Sequence, residues 1–125
     1  MATILLVDDD ESFRTMMGIT LERMGHQITQ ASDGAQALRL FQQDDFAVTL
    51  IDLIMPEKEG METITEMRLL RPTAKIIAMS GGGRMNARDV LSIAKAIGVT
   101  QTLAKPFSNE ELMAALNMAQ NIIDA

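Results

Sequence analysis

The sequence predicts an α/β domain built on a doubly wound, five-stranded parallel sheet with five helices. Two observations carry this expectation. Short apolar runs of strand length alternate five times with stretches of helical period, the pattern of repeated βαβ units. The third run, "FAVTLI", is also near-continuously apolar, as in a strand buried on both faces. A chain of 125 residues, 47% of them hydrophobic, suits a single domain over 1–125 with a core of its own.

The elements follow in order. "TILLV" (3–7) is the first strand. A helix is expected over 11–24, with Phe13, Met16, Met17, Thr20, Leu21 and Met24 on one face and Gly25 as its C′ stop. "HQITQA" reads as a second, partly exposed strand. "SDGAQALRLFQQ" gives a short helix burying Ala37, Leu38 and Phe41. "FAVTLI" is the third strand. After the loop "DLIMPEKEG", Met61, Ile64 and Met67 mark a third helix that ends before Pro72. "KIIAMS" is the fourth strand, and "GGGRMN" must be a loop, because consecutive glycines cost a helix too much backbone entropy.

A fourth helix begins at Asn86, a cap supported by Asp89, and carries Val90, Leu91 and Ala94 before Gly98 closes it. "VTQTLA" is the fifth strand. The fifth helix opens with a capping box of Ser108 and Glu111, and buries Leu112, Ala115, Leu116, Ala119 and Ile122.

Composition excludes several functions. With no cysteine, a disulfide framework, a thiolate metal site and a thiol nucleophile are all ruled out. A net charge of -6 opposes direct binding of a polyanion, so nucleic acid is not an expected partner. Neither a leader-like segment nor a long apolar run is present, which argues for a cytoplasmic protein without a membrane partner. The eleven Met read first as filler for irregular gaps in the core.

In an open parallel sheet the working crevice lies at the carboxyl ends of the strands. Strand one ends in Asp8, Asp9 and Asp10, strand three in Asp52, strand four in Ser80, and strand five in Lys105 and Pro106. Any one of these acids could be a helix cap or a solvated loop residue. Together they form a rim of carboxylates, a hydroxyl and an ammonium. Clustered carboxylates suit a hard cation such as Mg²⁺. A metal beside an ammonium suits phosphoryl chemistry, for which an Asp is a possible acceptor. Asp10 reads better as the cap of the first helix than as a ligand. His26, the only histidine, lies away from this rim and reads as structural.

"ILLVDDD", "LIDLIMPEKEG", "AMSGGG" and "LAKPFSNEEL" fall in order on strands one, three, four and five. With "ASDGAQAL" and "AKAIGV", they resemble the receiver (response-regulator) domains of two-component signalling along essentially the whole chain. The resemblance implies the flavodoxin-like strand order 2-1-3-4-5. It makes Asp52 the phosphoacceptor for a sensor histidine kinase or a histidine phosphotransfer protein. It assigns Mg²⁺, with Mn²⁺ able to substitute, to Asp9, Asp52 and the backbone carbonyl of Ile54, with Asp8 acting through water. Ser80 becomes the switch hydroxyl, Lys105 the partner of the phosphoryl group, and Pro106 the turn that aims Lys105, across a peptide bond commonly cis in the family. The implied protein is a phosphorylation switch and not an enzyme in the ordinary sense, since it catalyses only its own phosphorylation and dephosphorylation.

The sequence departs from the family where an aromatic residue often precedes the lysine by three positions; here Thr102 stands there. Ile54 and Gly82 cannot orient a water with their side chains, which implies slow to moderate self-dephosphorylation. The chain ends soon after the last helix, so it reads as a stand-alone receiver, either monomeric or dimerising on phosphorylation. Its expected surface for a downstream target includes Arg84, Met85, Arg88 and Thr102, although the two arginines fit an ordinary solvated face equally well.

Two other readings stay open at this stage. One is a receiver-like interaction module that works without phosphate. The other is a haloacid-dehalogenase-like phosphatase, suggested by the Asp-x-Asp after strand one, but it leaves "KPF" and Asp52 unexplained. A calcium hand lacks its required Gly and Glu, and "GGGR" lacks the ending of a nucleotide P-loop.

Overall fold

The computed structural model describes residues 2–53, 59–81, 92 and 95–121. Five strands form one parallel sheet: β1 (Thr3–Val7), β2 (Gln27–Ala31), β3 (Val48–Asp52), β4 (Ile76–Ser80) and β5 (Gln101–Ala104). Their order across the sheet is β2-β1-β3-β4-β5, as the resemblance implied. Four helices are described: α1 (Glu11–Arg23), α2 (Gly34–Gln43), α3 (Glu59–Leu70) and α4 (Asn109–Asn121), the last being the fifth predicted helix. The predicted fourth helix lies mostly outside the described residues, but Ser92, Lys95 and Ala96 are helical.

Period-2 alternation splits each central strand between two cores. Leu5, Val7, Ile51, Ile76 and Ala78 face one side, where they pack with Ala37 and Phe41 of α2 and Ile64 and Met67 of α3. Ile4, Leu6, Leu50, Ile77 and Met79 face the other, against Met17 and Leu21 of α1 and Leu112, Leu116 and Ala119 of α4. Burying both faces is what makes "TILLV" and "IIAMS" nearly devoid of polar residues. β2 lies at the edge and is buried only at Ala31, which explains its polar Gln27 and Gln30.

Among the described residues, caps and stops act where expected, while the expected cap at Asn86 lies outside them. Gly25 has φ +96°, a left-handed conformation that glycine adopts without a Cβ penalty, and it ends α1. Ser108 and Glu111 form the reciprocal box at α4: Glu111 N–H donates to Ser108 Oγ at 3.0 Å, and Ser108 N–H donates to Glu111 Oε1 at 3.1 Å. Met16 departs from expectation, being 62% exposed. The buried stripe of α1 runs through Met17, Gly18 and Leu21, and Met16 lies a helical step of about 100° away from Met17. Leu38 and Met61 are only partly buried, while Ile122 lies outside the described residues.

Candidate functional site

The strand order reverses between β1 and β3, and the functional side chains gather at the carboxyl ends beside that switch point. Asp8 extends β1, its N–H donating to the carbonyl of Ala31 at 3.2 Å. It is fully buried, and both of its carboxylate oxygens have partners. Oδ1 accepts from the N–H of Asp10 at 2.9 Å, and Oδ2 accepts from Nζ of Lys105 at 2.7 Å. The Asp8 carbonyl accepts from Nη1 of Arg14 at 2.7 Å, so the start of α1 is tied back to the rim.

Asp52 ends β3, buried at 6% exposure. Its Oδ2 accepts from the same Lys105 ammonium at 3.2 Å. Lys105 directly follows β5, and its N–H donates to the carbonyl of Ser80 at 2.7 Å. Strand pairing therefore continues up to the lysine and aims it across β4 toward Asp52. The Lys105–Pro106 peptide bond is cis.

Asp9 is exposed. It completes a group in which Asp8, Asp9 and Asp52 each bring a carboxylate oxygen within 4.8 Å of the others. Ser80 ends β4, is fully buried, and its Oγ finds no hydrogen-bond partner among the described residues. Asp10 is the N-cap of α1, its Oδ1 accepting from the N–H of Phe13 at 3.1 Å. Its carboxylate thus serves the helix, as the sequence suggested.

Electrostatics keep the lysine charged. Burial pulls the Lys105 pKa down, but the hydrogen bond to Asp8 and the charges of Asp52 and Asp8 outweigh it, and the net shift is upward. One ammonium facing three carboxylates leaves an excess of negative charge. The donor set is all oxygen, which fits a hard divalent cation and not a thiophilic one. The buried, unpartnered Ser80 hydroxyl fits an incoming acceptor oxygen, because leaving such a group unsatisfied costs about 1–3 kcal/mol.

Thr102 lies on β5 opposite Ala78 and is half-buried, outside the carboxylate cluster. Ile54, Arg84, Met85 and Arg88 lie outside the described residues. His26 sits away from the rim, where its Nδ1 accepts from the N–H of Ala2 at 3.0 Å.

Two contributors escaped the sequence reading. Gly60 lies in the first turn of α3, where a Cβ would come within 2.6 Å of the carbonyl oxygen of Asp52 and of Leu53 backbone atoms. A glycine just inside a helix start was the available signal. Phe13 was assigned only to a core-facing helix stripe, yet the Lys105 ammonium sits 3.8 Å from its ring centroid. Nothing local in the sequence announces a contact between residues so far apart along the chain.

The family described as response regulator receiver domain matches residues 4–117. The transcriptional regulatory protein CpxR of Klebsiella pneumoniae is 34% identical over 116 residues, covering 93% of this chain and 48% of that protein. The DNA-binding transcriptional regulator NtrC of Azospirillum brasilense is 30% identical, covering 96% of this chain and 24% of that protein. The chain thus spans about half or less of the length of these relatives. Among solved structures, a response regulator receiver domain protein from Clostridium thermocellum superposes with a TM-score of 0.91 at 28% identity, covering 99% of this chain and 98% of that one. The chemotaxis protein CheY4 of Vibrio cholerae does so with a TM-score of 0.83 at 31% identity, covering 95% and 98%.

Proposed function

Since the chain belongs to the response regulator receiver domain family, we propose that it accepts a phosphoryl group on Asp52 and thereby switches a surface read by a downstream protein. The donor is a phosphohistidine on a sensor histidine kinase or a histidine phosphotransfer protein. One observation above all supports the reading. A single Lys105 ammonium bridges buried Asp8 and Asp52 at 2.7 and 3.2 Å, beside a third carboxylate and an unpartnered hydroxyl.

In the transfer, an Asp52 carboxylate oxygen bonds to phosphorus as the bond from phosphorus to the donor's imidazole nitrogen breaks, and that nitrogen keeps the electron pair. Lys105 offers a fixed positive charge beside the oxygens on which negative charge develops. Ser80 supplies a hydroxyl donor for a phosphoryl oxygen. Asp8 holds Lys105 and the start of α1 in place. A divalent cation, Mg²⁺ or Mn²⁺, would be held by Asp9, Asp52 and the Ile54 carbonyl, with Asp8 acting through water, and would neutralise charge on the transferring group.

On this reading the protein acts only on its own acyl phosphate, which it hydrolyses at a slow to moderate rate. It works in the cytoplasm, as a monomer or as a phosphorylation-dependent dimer. Thr102, standing where the family often has an aromatic residue, favours one second reading, a receiver-like module whose partner binding ignores phosphate. Incubation with Mg²⁺ and a small phosphoryl donor, followed by intact mass measurement, tests the proposal. Wild type should gain one phosphoryl group and Asp52→Asn none. An unlabelled wild type would leave the phosphate-independent module as the better account, and equal labelling of the variant would remove Asp52 as the acceptor.

A further inference from the structure

The geometry points to Phe13 as a positioning residue for Lys105, its ring face holding the ammonium between Asp8 and Asp52. The catalytic consequence rests on the phosphoacceptor reading above; the placement itself does not. Lys105 Nζ lies 3.8 Å from the ring centroid, well inside the roughly 6 Å within which an aromatic quadrupole attracts a cation. The ring in turn is held at both ends. At its backbone, the Phe13 N–H donates to Asp10, whose own N–H donates to Asp8. At its ring, Phe107 packs on it at a centroid distance of 6.3 Å and an interplanar angle of 82°, the T-shaped arrangement that aromatic quadrupoles favour.

These contacts close a circuit. Asp8 binds the backbone of Asp10, Asp10 that of Phe13, the Phe13 ring carries the Lys105 ammonium, and the ammonium returns to Asp8. The acidic run after β1 therefore does more than supply carboxylates, because it also sets the ring on which the lysine rests. Phe107 sits two residues beyond Lys105 and braces the same ring, so α1 and the segment after β5 locate the ammonium jointly.

The need for such a rest follows from lysine chemistry. An ammonium is a point charge on a flexible four-carbon stem, with no preferred direction of approach to a carboxylate. Asp8, Asp9 and Asp52 all present oxygens within 4.8 Å of one another, so charge alone does not single out the Asp8–Asp52 position. An aromatic face under Nζ adds an attraction located at one place. An aliphatic side chain of similar bulk would fill the space without attracting the charge.

The test compares Phe13→Leu with Phe13→Tyr, with Phe13→Met as a second apolar variant should leucine fold poorly. In NMR spectra of protein with labelled lysine, the Lys105 ε-methylene should be displaced upfield by the ring current in wild type and Phe13→Tyr. It should move toward the ordinary lysine position in Phe13→Leu. With Mg²⁺ and a small phosphoryl donor, Phe13→Leu should label Asp52 about two- to tenfold more slowly, with Phe13→Tyr restoring most of the rate. A wild-type ε-methylene without ring-current displacement, or equal labelling rates in all three proteins, would overturn the proposal. If wild type takes up no phosphoryl group at all, the phosphoacceptor reading fails, and the NMR comparison alone still decides where Lys105 rests.

Discussion

Burying a carboxylate without compensation is costly, and Asp8 is buried completely. Lys105 and the N–H of Asp10 together offset that cost, since each oxygen of Asp8 has a donor. Removing one partner of such a pair leaves a buried charge uncompensated and harms stability more than removing both. Lys105→Met should therefore destabilise the fold by about 1–3 kcal/mol in urea denaturation. Asp8→Asn added to that variant should recover part of the loss. A double variant no more stable than Lys105→Met alone would show that the charge left on Asp8 is not what destabilises the fold. Gly60 acts at the same scale by leaving room for the backbone of Asp52. The requirement is steric and falls on the end of β3 itself.

At the level of elements, helix starts set the geometry of the site. Asp10 caps α1 and Asp33 caps α2, each side chain accepting an N–H three residues on. Ser108 and Glu111 cap α4, whose Leu112, Ala115, Leu116 and Ala119 cover one face of the sheet. Ser108→Ala should cost about 1 kcal/mol of stability, read as a lower urea midpoint with an unchanged slope. A change in slope would instead mean that the variant alters the compactness of the folded or unfolded chain. The caps at Asp10 and Ser108 were legible in the sequence because they depend on residues three apart, whereas Asp33 was not singled out. The outward turn of Met16 was not, because helical period alone does not say how wide a stripe the sheet covers.

Across the whole molecule, the two-sided core holds the strand ends in register, and the termini of β1 and β2 are pinned far from the site. There His26 accepts from the N–H of Ala2. Burial, then the positive N-terminus, lowers its pKa below the ordinary 6.5. The unfolded chain thus binds the proton more readily, so the His26 contribution is fully present above 6.5 and is lost as pH falls through the lower folded value. Wild type should lose stability across that window more steeply than His26→Gln. Parallel stability curves for the two proteins would remove His26 from the pH response. Among the described residues no helix is long and apolar enough to cross a membrane.

The alternation of strands and helices, the buried character of β1 and β3, the caps at Asp10 and Ser108, and the strand-end positions of Asp8, Asp9, Asp52, Ser80 and Lys105 were legible in the sequence alone. Each of these follows from residues close together in the chain: apolar periodicity, capping side chains, and polar residues ending apolar runs. Only the tertiary structure decided which charges meet. That Lys105 bridges Asp8 and Asp52 and rests on Phe13 depends on strand order and on packing across 97 positions of chain. Pairing over that span is set by sheet closure and core shape, which no local pattern encodes. The run of acids after β1 illustrates the division. Its charge and the helix cap at Asp10 were evident in the sequence, while the anchoring of Lys105 by Asp8 came from the fold.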